Sequence, residues 1–152
     1  MLELTLDVCV LMGAWGLSNH RPTGECLRVV KRMADEDGWA VALDKKGRIR
    51  QQYEDKLGRE GDGLRWLGHM VTKGKCVFVE TRPLPTQTRA LIHKEDKKYV
   101  ETAAVTECKL LVSYRSHPSN YGSRICRELR RIGVRVMEPG SACKLEARGT
   151  RS

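Results

Sequence analysis

The chain has 152 residues, 40% of them hydrophobic and 31% charged, with a formal net charge of +9. That is one ordinary domain, large enough to bury a core without a metal or disulfide staple, and no apolar run approaches the roughly 20 residues a membrane helix needs. The opening MLELTLDV lacks the basic region and small-residue cleavage site of a secretory signal, so a soluble cytoplasmic protein is expected. Its positive charge favours polyanions (RNA, DNA or an acidic protein) as partners and equally fits a merely well-solvated surface.

In chain order, LELTLDV alternates Leu2, Leu4 and Leu6 and reads as a strand; WAVALD (39 to 44), CVFVE (76 to 80), KLLVS (109 to 113) and VRVME (134 to 138) are further apolar runs of strand length. Between the first two, Cys26, Val29, Val30 and Met33 have helical spacing, followed by Ile49, Tyr53 and Leu57, then Leu64, Leu67, Met70 and Val71. Residues 81 to 92, with two prolines, read as a long loop. Tyr99, Val100, Ala103 and Ala104 mark another helix, and Ile125, Leu129 and Ile132 a last one, stopped at Gly133. Strands apolar on both faces that alternate with helices predict an α/β fold, a three-layer sandwich around a mostly parallel sheet of about five strands. One domain over residues 1–143 and a loose basic tail over 144–152 complete the expectation. The six cysteines form no CxxC pair, which indicates neither a zinc site nor a disulfide framework.

Asp7 closes the first strand. Ligands of open parallel sheets gather beyond the carboxyl ends of the strands, so this acid is expected at the mouth of a crevice; capping the helix that starts at Val8 is the equally weighted structural role. Asp96 precedes Tyr99, Val100 and Ala103 by three, four and seven residues, which puts it on the apolar stripe of its helix. An inward carboxylate needs a cation, a metal or hydrogen-bond donors, although complementing the helix dipole also explains a first-turn acid. Asp44 and Glu101 add acids near the same edge. Carboxylates converging there suit Mg²⁺ or Mn²⁺ and phosphodiester hydrolysis.

Three blocks then carry a resemblance. LTLDVCVLMGA resembles the opening motif of PIN domains, ALDKKGRIRQQYEDKL their second block, and EDKKYVETAAVTECKLLVSYRSH their third, together spanning residues 4 to 117 in the family's order. The resemblance implies a metal-dependent endoribonuclease in which Asp7 and Asp96 hold the metal, Glu101 and Glu54 assist, and water is the nucleophile. It further implies toxin-type single-domain relatives that a small antitoxin-like protein inhibits, with a homodimer as the other partner. Two positions depart from the family's pattern. Gln52 stands before Tyr53 where an acid is usual, with Glu54 on the other side, about 100° away per residue around a helix; and Arg115 stands where an acid commonly follows the strand, suited instead to gripping the scissile phosphate.

Substrate RNA or single-stranded DNA would meet Lys45 and Arg48 near the second block, and Arg124 and Arg127 on one face of the last helix, although a solvated face explains either cluster alone. His93 and His117 flank the third block without metal-ligand spacing. Gln52 and Arg115 motivate a second expectation, a PIN-like module that no longer cuts and binds nucleic acid or a protein. A phosphatase or receiver-like domain fits least, since DVCVL lacks a second acid two residues after Asp7 and no glycine-rich phosphate cradle is present.

Overall fold

The computed structural model describes residues 1–17, 23–114 and 121–146. Among them five strands form one sheet: β1 (Leu2–Leu6), β2 (Trp39–Asp44), β3 (Cys76–Val79), β4 (Leu110–Val112) and β5 (Arg135–Met137). Every pair is parallel and the order is β3-β2-β1-β4-β5. The expected α/β sandwich is what the chain forms. All six residues of β2 and all three of β4 are buried, as strands covered on both faces must be, while the edge strands β3 and β5 stay partly open.

The connections are helices α1 (Val8–Ala14), α2 (Thr23–Asp35), α3 (Arg48–Leu57), α4 (Asp62–Thr72), α5 (Thr86–Leu91), α6 (Lys97–Val105) and α7 (Ser123–Arg131), with a short α8 (Pro139–Ala142) after β5. Helices α1 to α4 pack among themselves and α5 packs on α7, the grouping that right-handed crossovers over the two faces of the sheet give. In the core Leu4, Leu6, Val41, Leu43, Val100 and Leu111 are each at most 1% exposed. The α2–α4 contact is fixed by a polar tie, the Trp66 indole donating to the Val30 carbonyl at 2.8 Å.

Two expectations on the elements need correction. Residues 81–92 are not one long loop, because α5 forms directly after Pro85; a proline just ahead of a helix does not oppose it, since only the helix interior needs the missing amide. Val71 shares the spacing of Leu67 and Met70 yet is 46% exposed, having turned past the buried stripe at the end of α4.

Helices α1 and α2 meet at Gly13, where an added Cβ would lie 2.8 Å from Cys26 Sγ and 3.0 Å from the Tyr114 hydroxyl. Gly13→Ala would gain up to about 1 kcal/mol of helix propensity and lose about 1–3 kcal/mol to overpacking. Net destabilisation is expected in urea denaturation; an unchanged or higher midpoint would show that the interface yields at no cost.

Candidate active site

The strand order places a topological switch point between β1 and β4, because the chain leaves β1 towards β2 and returns to β4 on the opposite side. Ligand crevices of parallel sheets open at such points. Asp7 follows β1 there and Ser113 follows β4, and their side chains meet, the Ser113 hydroxyl donating to Asp7 Oδ2 at 3.1 Å. Asp7 Oδ1 accepts the amide of Cys9 at 3.2 Å, so the residue caps α1 while its other oxygen holds Ser113. Of the two roles weighed for Asp7, the capping of α1 is present. Burial pushes its carboxyl above the ordinary value, against the Cys9 amide, Ser113 and the charge of Lys98.

Asp96 ends a 3₁₀ turn (Lys94–Asp96) that leads into α6, and it is 4% exposed. Its side chain makes no capping bond, and Oδ2 is buried with no hydrogen-bond partner. Burial, and then the negative charge of Asp7, raise its pKa to about 7, with Lys98 opposing. The two carboxylates thus repel each other, and the charge of Lys98 acts on both. Other buried side-chain atoms also lack a hydrogen-bond partner, among them Thr5 Oγ1, Thr102 Oγ1 and the Tyr121 hydroxyl, and burial followed by the charges of Asp7 and Asp96 holds the Tyr121 phenol well above the usual range.

The remaining candidate acids are committed elsewhere. Glu101 pairs with Arg48 Nη1 at 3.0 Å, and Glu54 faces Arg50 Nε at 3.5 Å along α3. Asp44 accepts the amides of Arg48 and Ile49 at 3.1 and 2.9 Å and Arg48 Nε at 3.1 Å, so it serves the free amides at the start of α3, whose N-cap position is Gly47. Gln52 accepts the Tyr99 hydroxyl, whose oxygen in turn accepts the Val8 amide at 3.3 Å. In the place where the resemblance puts an acid, an amide thus braces α6 and the start of α1. Arg48 spends its guanidinium on Asp44, Glu101 and Thr81.

The expected substrate-binding residues do not converge. Lys45 is exposed after β2, and Arg124 and Arg127 are exposed on α7 beside β5, at the opposite side of the sheet from α3. Arg115 and His117 lie outside the described residues. Instead a groove of about 790 Å³ runs between α3 and the 3₁₀ turn with α6, lined by Lys46, Lys56, Lys94, Lys97 and Lys98 together with Gln52. Sequence reasoning missed Ser113, Lys98 and Tyr121 as neighbours of the acids; only the LLVS strand end hinted at the first.

Among the described residues no group of three or more His, Cys, Asp and Glu side chains is arranged to hold a metal ion. The acid pair fits a smaller demand, since Mg²⁺ is commonly held by one or two carboxylates and keeps its remaining waters. Compared with known proteins, the chain matches no family model and no curated protein. No helix among the described residues is long and apolar enough to cross a membrane.

Proposed function

We propose that the chain is a PIN-like endoribonuclease using Mg²⁺ or Mn²⁺. The observation that carries this is the buried, unpartnered carboxylate oxygen of Asp96 beside the charge of Asp7 at the switch point of the sheet. Evolution rarely leaves such a group without cause, because an unpaired buried charge is costly. Asp7 and Asp96 would hold the ion, which when bound supplies Lewis acidity towards a phosphate oxygen and lowers the pKa of water. Ser113 fixes the rotamer of Asp7. Lys98 partly balances the two acids and faces the groove through which a phosphate reaches them. In the reaction a water oxygen bonds to phosphorus, the bond to the leaving ribose oxygen breaks, and that oxygen takes up a proton. Glu101 and Glu54 would assist only after exchanging their arginine partners.

The same reading includes a small inhibitory protein or a second copy of the chain as partner, and a cytoplasmic location, supported by six free cysteines. It is tested with end-labelled structured RNA, and single-stranded DNA in parallel, in Mn²⁺, Mg²⁺ or EDTA. Cleavage is expected that EDTA and Asp7→Asn each abolish; cleavage surviving both would rule this site out.

A second reading, a PIN-like module that binds without cutting, is favoured by Gln52 and by the Arg48–Glu101 pair, which together leave only two acids free. No turnover with any metal, alongside salt-sensitive binding that survives Asp7→Asn, would establish it.

A further inference from the structure

From the groove between α3 and α6 we infer that the chain holds the sugar-phosphate backbone of a single-stranded nucleic acid there and reads its phosphates rather than its bases. The inference rests on the proposed function for the position of the scissile bond, but the binding itself needs no cleavage.

Four of the lining ammonium groups, those of Lys46, Lys56, Lys94 and Lys97, have no acid partner among the described residues. Of the groove's acids, Glu101 is paired with Arg48 and Glu95 with Lys98 at 3.6 Å, while Asp55, bonded to the neutral Gln51 amide at 3.0 Å, offsets one of the four and leaves the wall with a net positive charge. Uncompensated like charges gathered along a concave wall repel one another and focus a positive field, and a polyanion relieves both.

Two residues of the groove are coupled to the acid pair, although neither acid lines it. Gln52 lines it and holds Tyr99, whose hydroxyl also binds the amide next to Asp7. Lys98 lines it too, and its charge acts on both Asp7 and Asp96. Those acids are only 7% and 4% exposed, so a phosphate that approaches them must leave a regular stack, which a flexible single strand does and a stacked duplex resists.

No Phe, Trp or Tyr lines the groove. Single-strand binders that engage bases do so largely by stacking them on aromatic rings, so a ring-free cationic wall grips phosphates and carries little sequence information.

The test measures binding of the wild-type chain in EDTA, so that no turnover consumes the probe, to oligo(U), oligo(A), oligo(dT) and an RNA duplex over a range of KCl. It is repeated with Lys46→Gln, Lys56→Gln, Lys94→Gln and Lys97→Gln combined, all surface changes. Each phosphate neutralised contributes about 0.7 to the log–log salt slope for single strands. The combined variant should therefore lower the slope by about 2 to 3 and the low-salt affinity by at least about tenfold. The two RNA homopolymers should bind within a few-fold of each other and both better than the duplex; oligo(dT) binding as well would extend the site to DNA, and weaker oligo(dT) binding would confine it to RNA. An unchanged slope, a strong preference for one RNA homopolymer, or equal duplex binding would overturn the inference. If the wild type never cuts RNA yet the slope falls, the nuclease reading fails and the groove stands; if it cuts and the slope is unmoved, the reverse holds.

Discussion

Asp96→Asn should abolish metal-dependent cleavage and at the same time stabilise the fold at alkaline pH. The first effect follows from removing one of two carboxylates that would hold the ion; charge stabilisation of several kcal/mol at that position corresponds to at least about a hundredfold in rate. The second follows from the carboxyl's environment. Burial and the neighbouring charge of Asp7 raise its folded pKa to about 7, against an ordinary value of 3.8. Between those values the folded chain keeps a proton that the unfolded chain has lost, so stability falls as pH rises from about 4 to about 7 and levels off above. At about 1.4 kcal/mol per unit, the wild type gives up a few kcal/mol at pH 8 that it keeps at pH 4. Asparagine carries no charge and escapes that penalty, although its amide still lacks partners and returns part of the gain. The expected result is a melting temperature several degrees above wild type at pH 8, at about 2–4 °C per kcal/mol, and near or below it at pH 4. Adding Mg²⁺ at pH 8 should raise the melting temperature of the wild type and leave the variant unmoved, because only binding to the folded state stabilises it. A variant destabilised equally at both pH values would make Asp96 a structural residue, and a retained Mg²⁺ shift would remove it from the metal site.

This behaviour explains what was legible in the sequence. Asp7 and Asp96 stood out because each sits where apolar periodicity demands something else, at a strand end and on a buried helical stripe. The strands were equally visible: WAVALD is apolar up to its last residue, and β2 occupies that whole run, buried throughout. Partners were not visible. Ser113 meets Asp7 across 106 residues of chain, a pairing set by the parallel register of β1 with β4 and by nothing local. Lys98, in the run HKEDKK, looks like a solvated lysine, and only the 3₁₀ turn that starts α6 turns its charge towards the acids. Glu54 and Gln52 are two positions apart on α3, about 200° around the helix, so the amide faces α6 and the carboxylate faces Arg50. The offset was readable; which of the two faces the crevice depended on how Ile49, Tyr53 and Leu57 docked α3.

Asp44 shows how little a residue type says without its hydrogen bonds, and Asp44→Ala should produce the largest loss of stability among these substitutions. Asp44 is 2% exposed, as closed to solvent as Asp96 at 4%. Burial alone would push its carboxyl up, but the amides of Ile49 and Arg48 and the Arg48 guanidinium outweigh burial and hold it below the ordinary value. Truncation strands two amides at the start of α3, each of which costs about 1–3 kcal/mol if water cannot reach it, and leaves Arg48 Nε without its buried carboxylate partner. A loss of at least about 3 kcal/mol is expected in urea denaturation at pH 7. The dependence on pH runs opposite to that of Asp96: a carboxyl held below its unfolded pKa contributes stability above that pKa and loses it as pH falls through the folded value. The difference between wild type and Asp44→Ala should therefore shrink below about pH 4, whereas the difference between wild type and Asp96→Asn should open above about pH 5. Asp44→Asn, which keeps one acceptor oxygen for the helix amides, should recover part of the loss. If Asp44→Ala costs less than about 1 kcal/mol, α3 does not depend on this carboxylate. The assignment of Asp44 to structure would then fall, and a third carboxylate would be free for the crevice. Of two buried acids at the same sheet edge, the one whose oxygens are fully engaged belongs to the fold, and the one left with an empty oxygen is where chemistry is to be sought.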